Sequence, residues 1–348
     1  MRSTKARAAT ALAVAAVLAI GGCASGSGSD NGSSATNGSE PSGSTSQSSG
    51  GASGSTTMRI SATGLDSLPF MAILQVAVDK GWFSDQGLNV EMYSGGGGGN
   101  TLRAVTTGDA DIAIAGNTAV VLAAAQADSN MTIVAPWFQV NDFYWITDKA
   151  DAKIDGATLG FSSAGSSTEL TVKAIQKKYP SVKSQAIGGM GDNWTAVKAG
   201  NITAGWAMHP FLTDKEQNDG AKVLVTARDI VGDFPADLVA VNKDYASKNP
   251  EAMKNFFTVV GKAFQYVTGS TADAAKDLAK LLKMDSSLVE ASLKDTPELD
   301  KAYSLKVDPD ALKNLSTMMN ETGQISEPID WSTALDQQYL PEADRATF

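Results

Sequence analysis

The residue types that carry most enzyme and metal chemistry are scarce here. The 348 residues include one histidine, His209, and one cysteine, Cys23. Zinc has no ligand set to draw on. A Ser-His-Asp triad would have to use His209, and Gly160-Phe161-Ser162-Ser163-Ala164-Gly165 misses the Gly-x-Ser-x-Gly elbow by one residue. Gly95 to Gly99 invites a nucleotide reading, yet no Lys-Ser/Thr follows and Asn100 breaks the dinucleotide fingerprint. The glycines instead let a chain turn closely beside a site. Asp109 and Asp111 lack the rest of a calcium loop and read as turn residues.

What remains is polar, mostly uncharged and placed where helices begin. Gly116-Asn117-Thr118 ends a strand and opens a helix, so its backbone N–H groups point beyond the strand's carboxyl end. Gly165-Ser166-Ser167-Thr168-Glu169 repeats the arrangement later in the chain. Two such starts facing one cleft make an anion site without a formal charge. Asn117, Thr118, Ser166 and Ser167 are therefore candidate ligand contacts, with helix capping, and a Ser166–Glu169 capping box in particular, as the competing reading. Ser67, in the loop after the first strand, carries the same two readings. Asp192 can cap a helix that carries Trp194 toward the cleft. His209 precedes Pro210 just after a strand; it either meets an anion with a neutral or protonated ring or is a hinge residue satisfied by backbone. Trp137, Phe138, Phe143, Tyr144, Trp145, Trp194, Trp206 and Phe211 crowd the same region. One or two of them lining the cleft, with Trp137 and Trp194 the named candidates, would suit an organic group better than bare nitrate.

These residues need a scaffold, and the chain supplies it after a leader. Arg2, Lys5 and Arg7 precede an apolar stretch from Ala8 to Ile20 and then Gly21-Gly22-Cys23. A dozen or so apolar residues is short of the ~20 that span a bilayer, so residues 1–22 read as a signal peptide. The pattern resembles the bacterial lipoprotein signal. That resemblance implies cleavage before Cys23, a thioether-linked diacylglycerol bearing chains such as palmitate, and anchoring through lipid alone; an ordinary secretory peptide is the competing reading. Residues 23–57 are almost all Ser, Gly, Ala, Thr and Asn. Such a segment cannot bury a core and reads as a disordered tether reaching roughly 30 Å. The chain's formal net charge is −10 and the leader's charges are all positive, so the remainder is more acidic still. Nucleic acid and anionic lipid are poor partners for it. No cysteine is left to form disulfides.

The body, 58–348, is long enough for two compact units. Strand and helix patterns alternate, which predicts an α/β architecture with largely parallel sheets. Strands are expected at 59–62, 88–93, 111–115, 131–137, 144–147, 157–162, 184–187, 202–207, 222–225 and 238–242. Helices are expected between them at 70–78, 101–107, 119–126, 168–178 and 193–199. After the last strand the chain reads as helical, with Asn249-Pro250 opening one helix and Asp308 and Gly323 bounding another at 309–322. Crossing segments are expected near 143–149 and 236–242, giving one lobe from 58–145 and 240–348 and a second from 146–239.

Pro69-Phe70, Gly81-Trp82-Phe83, Gly87-Leu88-Asn89-Val90, Gly95 to Gly97, Gly108 to Ala113 and Gly116-Asn117-Thr118 together resemble the opening of the solute-binding proteins of ABC importers for sulfonates, nitrate, taurine and thiamine precursors. Gly165-Ser166-Ser167, Val197 to Gly200 and Trp331 to Tyr339 are similar to later parts of that family. The resemblance implies a two-lobed periplasmic-binding-protein-like fold of type II, two hinge strands, a helical C-terminal part, no catalysis, no cofactor, and delivery of a small molecule to a permease and its ATPase. The family tends to place an acidic residue before the proline that here follows His209, a departure that touches the ligand. The expected function is that of a monomeric lipoprotein on the outer face of the bacterial cytoplasmic membrane that closes on a small organic anion, sulfonate-like. A neutral pyrimidine or thiamine precursor is the alternative ligand. A secreted hydrolase and a sensor that never meets a transporter are the remaining alternatives.

Overall fold

The computed structural model describes residues 55–348; the leader, Cys23 and nearly all of the 23–57 tether lie outside the described residues. Ten strands form three open sheets. The first sheet has the order β2-β1-β3-β10-β4, built from β1 (Thr56–Ala62), β2 (Leu88–Ser94), β3 (Ile112–Gly116), β10 (Asp237–Asn242) and β4 (Met131–Trp137). Strand β1 begins inside the expected tether: Thr56 and Thr57 pair with Leu88 and Asn89, and the β-branched pair suits a strand. Between the first sheet's early visits lie α1 (Pro69–Asp79), α2 (Gly98–Thr106) and α3 (Asn117–Ala124).

The other two sheets hold β8-β5-β9 and β6-β7, from β5 (Tyr144–Thr147), β6 (Thr158–Phe161), β7 (Lys183–Ala186), β8 (Gly205–Ala207) and β9 (Lys222–Thr226). Helices α4 (Ser167–Lys178), α5 (Met190–Lys198), α6 (Phe211–Asn218) and α7 (Ala227–Val231) connect them. A long helical run follows β10, including α8 (Lys243–Lys248), α9 (Pro250–Gly269), α10 (Thr271–Leu282) and α11 (Ser286–Asp295). The expectation of largely parallel sheets is only partly met. β1 runs parallel to both β2 and β3, and β6 parallel to β7, but β10 is antiparallel to β3 and β4, and β5 is antiparallel to β8 and β9. The reason is topological: β10 is the strand that brings the chain back, so it enters the first sheet from the opposite edge.

The chain leaves the first sheet after Trp137 and returns at Asp237. Residues 138–143 and 232–236 make the two crossings, a few residues before the expected ones, because β5 and β10 are fully paired within their own sheets. The crossings run side by side. Ala236 N–H donates to Phe138 O at 3.0 Å, and Asn141 donates through its backbone to Asp233 Oδ1 and through its side chain to Gly232 O. Phe138 turns the chain out of the sheet at a φ of 48°, costly for a residue with a Cβ. Its ring stacks on Phe70 with centroids 4.0 Å apart and meets Tyr303 edge-on. Burying that ring offsets the backbone cost.

Asp111 corrects one sequence reading. It is buried rather than a turn residue, and it grips Arg59 in β1 by both oxygens, with Nη2 to Oδ1 at 2.7 Å and Nε to Oδ2 at 3.1 Å, while Oδ2 also accepts the Arg59 backbone N–H. That fork ties the entry of β3 to β1. Charge-assisted bonds of this kind contribute about 1.5–3 kcal/mol, so Asp111→Ala is expected to lower the unfolding free energy by about 2 kcal/mol in urea titrations; a loss below roughly 0.5 kcal/mol, the usual range of surface changes, would contradict the role.

Candidate functional site

The parallel strands finish on one side, and a cavity of about 710 Å³ opens there. Thr63 and Gly64 follow β1, Ser94 ends β2, Gly116 ends β3, Ser162 and Ser163 follow β6, and Met208 follows β8; all of them line it. This is where open α/β sheets gather ligands. The same edge receives helix starts: Gly97 and Gly98 of α2, Gly116 before α3, Ser166 to Thr168 of α4 and Gly189 to Gly191 of α5 all line the cavity. Helix α2 begins with no side-chain cap, which leaves first-turn N–H groups for a ligand or solvent, whereas at the start of α3 the Asn117 N–H donates to Ala236 O and that of Thr118 to Asn117 Oδ1. Among the described residues no lysine, arginine or histidine lines the cavity, and the ionisable lining residues are Asp66 and Asp237.

Three of the expected contacts are brought together. Ser67, Ser166 and Ser167 all line the cavity. Ser67 does not cap α1, whose N-cap is Leu68, and its side chain is exposed. Ser166 does cap α4, accepting the Glu169 N–H at 3.1 Å, while Glu169 reaches back to the Gly165 N–H rather than to that of Ser166. Capping and lining are thus compatible in one serine.

Asn117 and Thr118 lie just behind the wall. Both are fully buried and neither lines the cavity. Asn117 donates to Pro235 O at 2.7 Å, and its Oδ1 accepts from the Ser167 hydroxyl at 2.8 Å and from Thr118. It therefore joins the start of α3, the start of α4 and the returning crossing. Gly116 must be a glycine for the same reason, since a Cβ there would meet Ser167 Oγ at 2.8 Å.

The remaining expectations fall elsewhere. Trp137 is buried in the first sheet's core, with Nε1 donating to Phe70 O and its ring 5.0 Å from that of Phe264. Trp194 packs among Ile146, Val197, Ile202 and Leu212 with Lys198 Nζ 5.7 Å from its ring. Helix α5 begins three residues before the expected start, because Gly188 at a φ of 126° and Gly189 make the turn. Asp192 then sits at the third helical position and accepts the Gly189 N–H, where the sequence reading had it as the cap. That shift rotates Trp194 into the interior. His209 is buried and does not line the cavity. Its Nδ1 bonds Thr213 Oγ1 at 2.7 Å, its Nε2 lies 3.9 Å from Asp142 Oδ1, and its backbone N–H donates to Asp142 Oδ2. Side chains, and not backbone alone, satisfy it. Burial pushes Asp142 up to about 6, with the adjacent His209 ring and N–H pulling in the other direction.

The aromatic wall is made instead by Phe143, Trp206 and Phe211. Trp206 is fixed by Nε1 donating to Gly188 O at 3.0 Å and meets Phe143 edge-on. Sequence reasoning missed Asp237 entirely. The available signal was an acid heading the otherwise apolar run Leu238 to Val241. Asp237 lies opposite Gly116 and Trp137 in the register, is 7% exposed, and burial pushes its carboxyl up to about 7.

A family model described as NMT1/THI5 like matches residues 69–274, more than half of the chain. The chain belongs to the NMT1/THI5-like family. YtlA of Bacillus subtilis is 21% identical over 295 residues, 77% of this chain and 85% of its own. Among solved structures, the periplasmic aliphatic sulphonate binding protein SsuA from Escherichia coli superposes with a TM-score of 0.64 at 14% identity, covering 84% of this chain and 96% of that one. The periplasmic nitrate-binding protein NrtA from Synechocystis PCC 6803 gives 0.62 at 14% identity, covering 82% and 84%. At these identities the likeness is one of fold, and the fold is the two-lobed periplasmic binding protein architecture. The NMT1/THI5-like family and these neighbours are solute-binding proteins, not enzymes. Among the described residues no group of three or more His, Cys, Asp or Glu is placed to hold a metal, and no helix is long and apolar enough to cross a membrane.

Two outcomes follow from this geometry. Asn117→Ala strands the Ser167 hydroxyl and Pro235 carbonyl, and unsatisfied buried groups cost about 1–3 kcal/mol; urea unfolding should show a loss on the order of 2 kcal/mol, whereas an unchanged midpoint would deny Asn117 its bridging role. Asp237 has its folded-state value, about 7, above the ordinary 3.8, so its stabilising contribution is full below about pH 4 and is lost as the pH rises through about 7. Calorimetry of ligand-free Asp237→Asn should give a flatter melting profile across that window and a higher melting temperature at pH 8; profiles that run parallel would count against the burial argument.

Proposed function

We propose that this chain is the extracytoplasmic solute-binding component of an ABC-type importer, and that it captures a small organic anion, sulfonate-like, by closing its two lobes. The observation that carries the anion reading is the convergence of helix starts from both sheet systems on one cavity with no cationic side chain among the described residues that line it. Each helix start presents the positive end of a dipole equivalent to roughly half a charge, and the uncapped start of α2 adds N–H groups without an intrahelical acceptor. Among the described residues eight side-chain hydroxyls line it, from Thr63, Ser67, Ser94, Ser162, Ser163, Ser166, Ser167 and Thr168; that of Ser167 is donated to Asn117 Oδ1, and the others include short donors that suit tetrahedral oxygens. A cleft that binds without bond-making groups at its wall fits capture and release, and the two side-by-side crossings fit a hinge.

In this reading Cys23 carries the lipid that holds the protein at the outer face of the membrane, residues 23–57 tether it, and the closed monomer docks on a permease served by an ATPase. The lobes are residues 56–137 with 237–348 and residues 144–231, joined by the two crossings. A second ligand reading, a neutral pyrimidine or thiamine precursor, is favoured by the wall of Phe143, Trp206 and Phe211, which suits a flat ring.

Thermal shifts across alkanesulfonates, taurine, nitrate and uncharged pyrimidines separate the two. A ligand at a hundred times its Kd stabilises by about 2.7 kcal/mol, several degrees for a chain of this size. Sulfonates are expected to give that rise and pyrimidines none; a rise with uncharged compounds alone would overturn the anion reading.

A further inference from the structure

His209, the only histidine in the chain, does not line the cavity, and nothing in the anion reading uses it. It is buried against Asp142, an acid near the end of the outgoing crossing. Two contacts join them. The His209 backbone N–H donates to Asp142 Oδ2 at 3.2 Å, and the ring Nε2 lies 3.9 Å from Oδ1. Residue 142 of the crossing is thereby fastened to the loop between β8 and α6 in the second lobe.

The groups that face this pair come from several elements. Thr213 of α6 bonds the ring Nδ1 at 2.7 Å, and Tyr144 of β5 meets the ring edge-on with centroids 5.6 Å apart. Asp229 adds a negative charge on the Tyr144 side. Arg228 of α7 also acts on Asp142, but its guanidinium is shared by Asp233 and Glu298. The buried phenol of Tyr303 faces the acid from the helical C-terminal part. Among the described residues Asp142 Oδ1 meets no donor at hydrogen-bond distance, and no cation other than the His209 ring is within ion-pair distance of the carboxyl.

A lone carboxylate in such a place is costly. The pair avoids that cost while it holds one proton, either as imidazolium with carboxylate or as imidazole with carboxylic acid, since both forms are neutral overall. Loss of the proton to solvent leaves a buried negative charge with no cation against it, and burial has lifted the Asp142 ionisation to about 6. A raised folded-state value means that the stabilising contribution is full below about pH 4 and is lost as the pH rises through about 6.

We propose that His209 and Asp142 form a one-proton clamp between the outgoing crossing and the second lobe, so that this crossing is held fast in mild acid and released as the proton leaves toward neutrality. His209 acts here as a positioning residue and touches no ligand. The consequence for lobe closure rests on the hinge reading given above; the clamp itself is a property of the empty chain.

Amide hydrogen exchange of the ligand-free full chain at pH 5 and pH 8, expressed as protection factors, tests it. The amides of His209, which donates to Asp142, and of Phe143, which donates to the Asn141 side chain, are the reporters. Both are expected to lose about tenfold in protection between the two conditions, the change that follows when a carboxyl held at about 6 regains its ordinary value on opening. Asp142→Asn keeps an acceptor for the His209 N–H and removes the charge, so the loss should vanish there. Asp237→Asn alters the other strongly shifted acid and should leave the loss in place. Because there is one histidine, its ring resonances in the unaltered chain report the pair directly and are expected to move with the same midpoint as the protection. Equal protection at the two pH values would overturn the clamp. So would a loss that survives Asp142→Asn or disappears in Asp237→Asn, or ring resonances that stay constant while protection falls. The ring titration is made on the unaltered chain, so it decides even where a variant does not fold. None of these measurements involves a ligand, so failure of the clamp leaves the solute-binding reading intact, and failure of that reading leaves the clamp.

Discussion

Parallel strands can be joined only by crossovers, and each crossover delivers the start of a helix to the same edge of the sheet. That constraint accounts for most of this molecule's site. Strands β1, β3 and β6 end at the cavity, and α2, α3, α4 and α5 begin there with glycines or serines. Small residues let the backbone approach, and N–H groups at a helix start have no intrahelical acceptor. Anion affinity in such a cavity needs no lysine or arginine, and among the described residues none lines it. The one strand that breaks the parallel rule, β10, breaks it because the chain has to return, and its reversed direction is what sets Asp237 rather than an N–H group at the wall.

Behind the wall, a layer of buried polar residues fixes the geometry. Asn117 joins α3, α4 and the returning crossing through three partners. His209, Thr213 and Asp142 form a second buried cluster beside the outgoing crossing. The charged side chains of Arg228, Asp233, Glu298, Lys301 and Asp308 tie the returning crossing to the helical C-terminal part, with Arg228 to Asp233 at 2.8 Å and Lys301 to Asp308 at 2.9 Å. The two buried clusters rigidify what they join, and the partly exposed charged network adds a surface tie. They hold the two crossings together while leaving the cavity itself lined by hydroxyls and glycines.

Much of this was legible in the sequence because the signals are local. Short apolar runs gave strands 131–137 and 144–147 with the observed limits, and Asp308 and Asn249-Pro250 marked helix starts correctly. The polar helix starts of α3 and α4 were visible as Gly-Asn-Thr and Gly-Ser-Ser. What was not legible depends on which face a side chain takes once the element is packed. Trp137 and Phe143 look alike as aromatic residues near a strand end, yet one fills the core of the first sheet and the other lines the cavity. A shift of three residues in the start of α5 sufficed to turn Trp194 inward. Asp237 was hidden because its importance comes from the antiparallel pairing of β10, which no local pattern announces. Asp111 was misread for the same reason, its partner Arg59 lying 52 residues away.

The central claim is that backbone groups at helix starts, and not a cationic side chain, hold the ligand. Amide resonances of the full chain titrated with an alkanesulfonate test it most directly. The account predicts that the largest shifts fall on Gly98, Thr168, Met190 and Gly191. Shifts confined instead to a second cavity, of about 550 Å³, where Lys243 and Gln324 form part of the wall, would contradict it.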